Sequence, residues 1–144
     1  MHKLLNINVL LSFFLLTSSA SVNAGGVDPN AATNAVATIT GSITYRERIA
    51  LPADAVVRVQ LRDVSLMDVA AKLIGEQIIR PQHSVPIPFV VSFDPAIINE
   101  RMSYSIFATI HSGERMLFVS DRNYPVLTRG NTNQIDLVLK MIQP

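Results

Sequence analysis

The chain contains no cysteine and no tryptophan, and its aromatic complement is three tyrosines and six phenylalanines. Without cysteine there is no disulfide, no thiol nucleophile, no thiolate metal site and no sulfur to carry a thioether-linked lipid. Tryptophan is the usual side chain for stacking on sugars, and that option is missing too. Glycine is scarce: of six, only Gly25 and Gly26 are adjacent, so no glycine-rich loop is available to cradle a phosphate. Charge is sparse and balanced, with twelve Lys and Arg against eleven Asp and Glu. A basic stripe for nucleic acid or an anionic membrane is therefore excluded. No apolar run is long enough to span a bilayer, since the longest covers residues 4–16 and already contains Asn6, Asn8 and Ser12.

That run follows Lys3 and precedes a small, polar stretch, which is the layout of a secretory signal peptide. Val22, Asn23 and Ala24 supply a small-x-small cleavage pattern, so residues 1–24 are expected to be removed. Only Lys3 is lost among the charged side chains, which leaves eleven of each sign and a net charge near zero. Residues 25–35, with two glycines and a proline, read as a flexible lead-in, and residues 36–144 as one domain with room for a real core. The expected product is a periplasmic protein with no membrane span and no covalent lipid, held together by packing alone.

Within the domain the dominant signal has a period of two. Ile39, Gly41, Ile43 and Tyr45 alternate with Thr38, Thr40, Ser42 and Thr44, while Val57, Val59 and Leu61 alternate with Arg58, Gln60 and Arg62. The Pro52-Ala53-Asp54 cluster between these arms predicts a β-hairpin over residues 39–65. Residues 73–79 are expected to be a strand rather than a helix because of Gly75, Ile78, Ile79 and Pro81. Ile87, Phe89, Val91 and Phe93 form another strand, and Asp94-Pro95 has the form of a capped single helical turn. Tyr104, Ile106, Ala108 and Ile110 lead through His111-Ser112-Gly113-Glu114 into a second hairpin ending near Val119. A last strand places Ile135, Leu137, Leu139 and Met141 inward. About seven strands with short connections predict an all-β fold, a single antiparallel β-sandwich, with a small closed β-barrel as the alternative.

Catalytic frames are missing. After signal cleavage only His83 and His111 remain, and no G-x-S-x-G elbow is present to build a serine hydrolase. His83, His111 and Asp94 lack metal-ligand spacing and read as turn and surface residues. Asp54, Asp63, Asp68 and Asp94 show no pairing suited to glycoside cleavage. The chain is thus expected to be no enzyme and to use no cofactor or metal. Two segments instead combine tyrosine with arginine, the residue types enriched at binding hot spots: YRER at residues 45–48 and DRNYPVLTRG at residues 121–130. They nominate Tyr45, Arg46, Arg48, Arg122, Tyr124 and Arg129 as an interaction surface.

Together with ITGSITYRERIALP, AVVRVQLRDVS, VPIPFVVSFDPAII and IDLVLK, those segments resemble the YbaY-type envelope lipoproteins, a family related to the YscW-type pilotins of type III secretion. The resemblance covers residues 39–141. It implies a β-sandwich without enzymatic activity, in the envelope of a Gram-negative cell. The pilotin branch implies a partner, a segment of an envelope or secretion-system protein such as an outer-membrane secretin. The YbaY-type branch implies an alternative link to glycoprotein or polysaccharide metabolism. Members of the family carry a lipobox cysteine after the signal peptide, and this chain has Val22-Asn23-Ala24-Gly25 there.

Overall fold

The structure is a computed structural model and describes residues 35–143. The expected signal peptide and nearly all of the lead-in lie outside the described residues. Eight strands follow in order: β1 (Ala37–Tyr45), β2 (Ala55–Asp63), β3 (Lys72–Ile79), β4 (Ile87–Phe93), β5 (Tyr104–Ser112), β6 (Arg115–Val119), β7 (Tyr124–Val126) and β8 (Leu137–Met141). A 3-10 turn, Pro95–Ile97, separates β4 from β5, with the Asp94 carboxylate accepting from Ala96 N at 2.8 Å. No α-helix occurs among the described residues, so none there is long and apolar enough to cross a membrane.

The strands form one sheet in the order β3-β2-β5-β6-β8-β1-β4, with β7 paired to β5. Its two ends then meet. A Cβ placed on Gly75 of β3 would lie 2.5 Å from the carbonyl oxygen of Ser92 in β4, and the Val90 amide donates to the Gln77 carboxamide oxygen at 2.6 Å. The sheet is accordingly a nearly closed barrel, and the expected two-layer sandwich is corrected to the barrel alternative. Alternation identifies the buried face of each strand but is the same for a strand in a sandwich and one in a barrel. β3 and β4 share no ladder, but their close approach shields the two end strands that a sandwich would leave exposed. At the seam a side-chain amide caps Val90 N, while Pro88, two residues earlier on the same edge, has no amide hydrogen to offer.

The expected hairpin of β1 and β2 is also corrected. β1 pairs with β4 and, in parallel, with β8, whereas β2 pairs with β3 and β5. Three strands, β5, β6 and β8, separate the two arms along the sheet. The connection does reverse at Pro52, whose carbonyl accepts from Ala55 N at 3.0 Å, but it is long enough to carry the chain over one end of the barrel. Tyr45 holds its start by donating its hydroxyl to Ile49 O at 2.9 Å.

The barrel interior collects the inward sets anticipated from period two: Ile39, Ile43 and Tyr45; Val57, Val59 and Leu61; Phe89, Val91 and Phe93; Ile106, Ala108 and Ile110; Leu137 and Leu139. Phe118 of β6 is fully enclosed and stacks on Tyr45, with ring centroids 4.3 Å apart and planes inclined by 22°. This burial is the main stabilising term, at roughly 25 cal/mol for each Å2 of apolar surface removed from water.

Candidate protein-binding surfaces

The six nominated residues divide into buried and exposed groups. Tyr45 and Tyr124 are only 6% and 7% exposed and close the core. Burial pushes the Tyr45 phenol above its ordinary value, and the nearby Glu47 carboxylate adds to the shift by disfavouring a second negative charge. The Tyr124 hydroxyl donates to Val138 O at 2.8 Å and accepts from Val138 N at 2.9 Å, joining β7 to β8, which share no ladder. Tyr104 is equally enclosed and accepts from Asn99 N at 3.0 Å, so none of the three tyrosines presents an open ring to a ligand. Tyr124→Phe is expected to leave both Val138 groups unpaired and to lower stability by about 2 kcal/mol, read from urea unfolding. An unchanged midpoint would show that the hydroxyl bridge contributes nothing.

The four arginines are exposed. Arg46 and Arg122 come together with Glu47, Asp121, Val138, Leu139 and Lys140 around a shallow depression of about 240 Å3. Its charges are mixed, and Arg122 already lies 3.7 Å from Asp121. Arg48 is not part of it. Arg129 sits elsewhere, in a left-handed turn with φ of 58°, where its guanidinium reaches Arg101 O at 3.4 Å. The nominated set is therefore not one surface.

A larger groove, about 570 Å3, lies on the outer face of β2 and β5 with Gly113 and Met116 at its end. Strand register builds it. With Val57, Val59 and Leu61 directed inward, Val56, Arg58, Gln60 and Arg62 point out, and they face His111, Thr109, Phe107 and Ser105 respectively. A register shift at Leu61/Arg62 against β3 and another at Ile110/His111 against β6 bracket the groove, and such irregularities bend strands and increase their twist. Gln60 and Thr109 are buried even though they are on the outside of the barrel. Gln60 Nε2 donates to Glu76 at 2.6 Å, while its oxygen accepts from both Nε and Nη2 of Arg62. The Arg62 guanidinium also lies over the Phe107 ring, 4.2 Å from its centroid, and Arg58 approaches Glu76 at 3.5 Å. Composition gave no sign of this surface. The available signal was Phe107, an aromatic residue out of phase with the inward set Ile106, Ala108 and Ile110, on the same face as two arginines.

Among the described residues there is no cluster of three or more His, Asp or Glu able to hold a metal. His111 lines the groove, whereas His83 lies in the loop after β3 beside Pro81 and Ser84.

Residues 34–139 match the sequence profile of the type III secretion system lipoprotein chaperone family, YscW. The chain belongs to the YscW family. Its relatives include the lipoprotein YbaY of Escherichia coli strain K12, 33% identical over 106 residues that make up 73% of this chain. The matched region spans about 55% of the length of YbaY. Among solved structures, an alternative pilotin from the type II secretion system of Vibrio cholerae is similar, with a TM-score of 0.73 and 36% identity. That match covers 76% of this chain and all of the pilotin chain. The YscW-family barrel thus carries the fold of a protein described as a pilotin, and the resemblance stated from the sequence motifs holds.

Proposed function

We propose that this protein is a non-enzymatic, chaperone-like domain of the Gram-negative cell envelope that binds a segment of a secretion-system protein. The observation that carries the reading is the YscW family match together with structural likeness to the whole of a pilotin chain. The barrel supports it in a second way. An exposed sheet edge would favour capture of an extended strand, but the β3–β4 seam is capped by Gln77 and Pro88, so recognition falls to side chains on an outer face. It acts in the periplasm, in keeping with the envelope setting of its lipoprotein and pilotin relatives. It shelters a partner segment there.

Deletion of the gene tests this function. The expected result is a severalfold loss of the assembled form of an outer-membrane secretion-system component, measured by envelope fractionation and native gel, with restoration by the plasmid-borne gene. Unchanged assembly of every secretion-system component encoded by the cell would sink the proposal.

A further inference from the structure

We infer that the groove on β2 and β5 is the docking site, and that it takes an acidic segment with apolar anchors: carboxylates on Arg58 and Arg62, an apolar side chain against Phe107 and Met116. The inference rests on the proposed function and names the chemistry of its partner.

Charge selects the occupant. Of the nine residues lining the groove, two are arginines, one is a histidine and none is acidic. Arg58 is partly neutralised by Glu76, but Arg62 meets no carboxylate among the described residues; its partners are the neutral Gln60 oxygen and the Phe107 ring. Arginine forks bind carboxylates in a bidentate way that a lone ammonium does not reproduce. The chain as a whole is almost neutral, so the positive character of the groove is local.

Arg62 is also held in advance. Glu76, Gln60 and Arg62 form a chain of hydrogen bonds, and Phe107 supports the guanidinium from below. Side chains already fixed lose little freedom on binding, which favours affinity. Buried Gln60 and Thr109 make the floor, so water is already kept from much of it before a partner arrives. Phe107 supplies a flat apolar surface, and Met116, exposed at the mouth, adapts to different side chains. Both β2 and β5 have strands on either side, which leaves no backbone edge for a partner to extend. Contacts must therefore run through side chains along a face about 20 Å long, from Val56 to Arg62 at about 3.3 Å per residue.

An anionic membrane is a poorer occupant because it requires a convex apolar tip ringed by many cations, whereas the two arginines here line a recess. Nucleic acid requires more positive charge than this face provides.

Synthetic peptides provide the test on the purified protein. One carries glutamates flanking leucines, one replaces every glutamate by lysine, and one replaces every leucine by serine. Fluorescence anisotropy is expected to detect only the first, with affinity falling about tenfold in Arg62→Gln and in Met116→Glu, and unchanged in Arg129→Gln. Met116 is exposed, so its variant reports binding even if Arg62→Gln unfolds. Equal binding of the lysine peptide, no binding of the glutamate peptide at 1 mM, on the order of the weakest specific affinities, or capture of phosphatidylglycerol vesicles that competes with the peptide overturns the assignment. In exporting cells, a photo-crosslinking residue at Met116 is expected to trap a segment with net negative charge. Crosslinks to a secretion-system component from Arg46 or Arg122 but not from Met116 would reject the groove and keep the chaperone function. Absence of such a component at all three positions would reject both.

Discussion

Gly41→Ala is expected to remove a large share of the stability of the domain. Gly41 lies in the middle of β1, paired with Phe89, where the chain before β8 crosses it. A Cβ at this position would run into the carbonyl of Ile135 and would also lie 2.9 Å from Cζ of Phe89. Neither neighbour can yield cheaply. Ile135 is fixed by its amide donating to Thr40 O at 3.0 Å, and Thr40 N donates to Asn133 O at 2.9 Å. Moving that segment away loses both bonds, about 1 kcal/mol each. Crowding of the fully buried Phe89 adds about 1–3 kcal/mol. A total near 4 kcal/mol is a large share of the 5–15 kcal/mol typical of a domain. It corresponds to a fall in Tm of about 15 °C by circular dichroism, taking about 4 °C per kcal/mol for this size. Gly113→Ala is the contrasting variant. Gly113 has φ of 57° and open space around its Cβ position, so only conformational strain of about 1 kcal/mol is expected. A fall below about 3 °C for Gly41→Ala would mean that the crossing is not as close as described.

The difference between Gly41 and Gly113 also marks what a single sequence conveys. Gly113 sits in a turn signalled by its own neighbours, His111-Ser112-Gly113-Glu114, and the β5–β6 hairpin forms there as expected. Gly41 is required by a segment more than ninety residues away, and no local pattern announces it. The same division holds for the strands. Alternation located the inward residues of β1, β2, β4, β5 and β8, because side-chain direction is a property of one strand. Pairing is a property of two, so the parallel contact of β1 with β8 and the separation of β1 from β2 were not legible. β7 was missed as a strand because Tyr124-Pro125-Val126 is too short to show a period. Tyr45 and Tyr124 were nominated from residue type, but each phenol is enclosed by its own barrel and hydrogen-bonded to backbone. The groove emerges only when register sets Gln60 beside Phe107 and Arg58 beside Thr109.

Two phenylalanines that look alike in sequence are expected to respond differently to replacement, and Phe118→Ala carries the larger stability effect. β6 has five residues and joins β5 to β8, through Phe118 opposite Met141 and Val119 opposite Lys140. It is the link between the β3-β2-β5 portion of the sheet and the β8-β1-β4 portion. Phe118 is fully buried and stacks on Tyr45, so truncation leaves a cavity at this junction and removes the stack. Burial lost from phenylalanine costs about 3–5 kcal/mol, a fall in Tm of more than about 10 °C. Amides near the junction are expected to exchange faster in heavy water, first among them Ile142 N, which donates to Leu117 O at 2.9 Å. Phe107 is half-buried on the outer face, and its removal takes away the support under Arg62 rather than any core contact. Phe107→Ala is therefore expected to cost about 1 kcal/mol in stability and to weaken capture of the acidic peptide, with the exchange of the Ile142 amide unchanged. Comparable melting of the two variants would mean that Phe107 serves the core, and the outer groove would lose its apolar floor as a binding element.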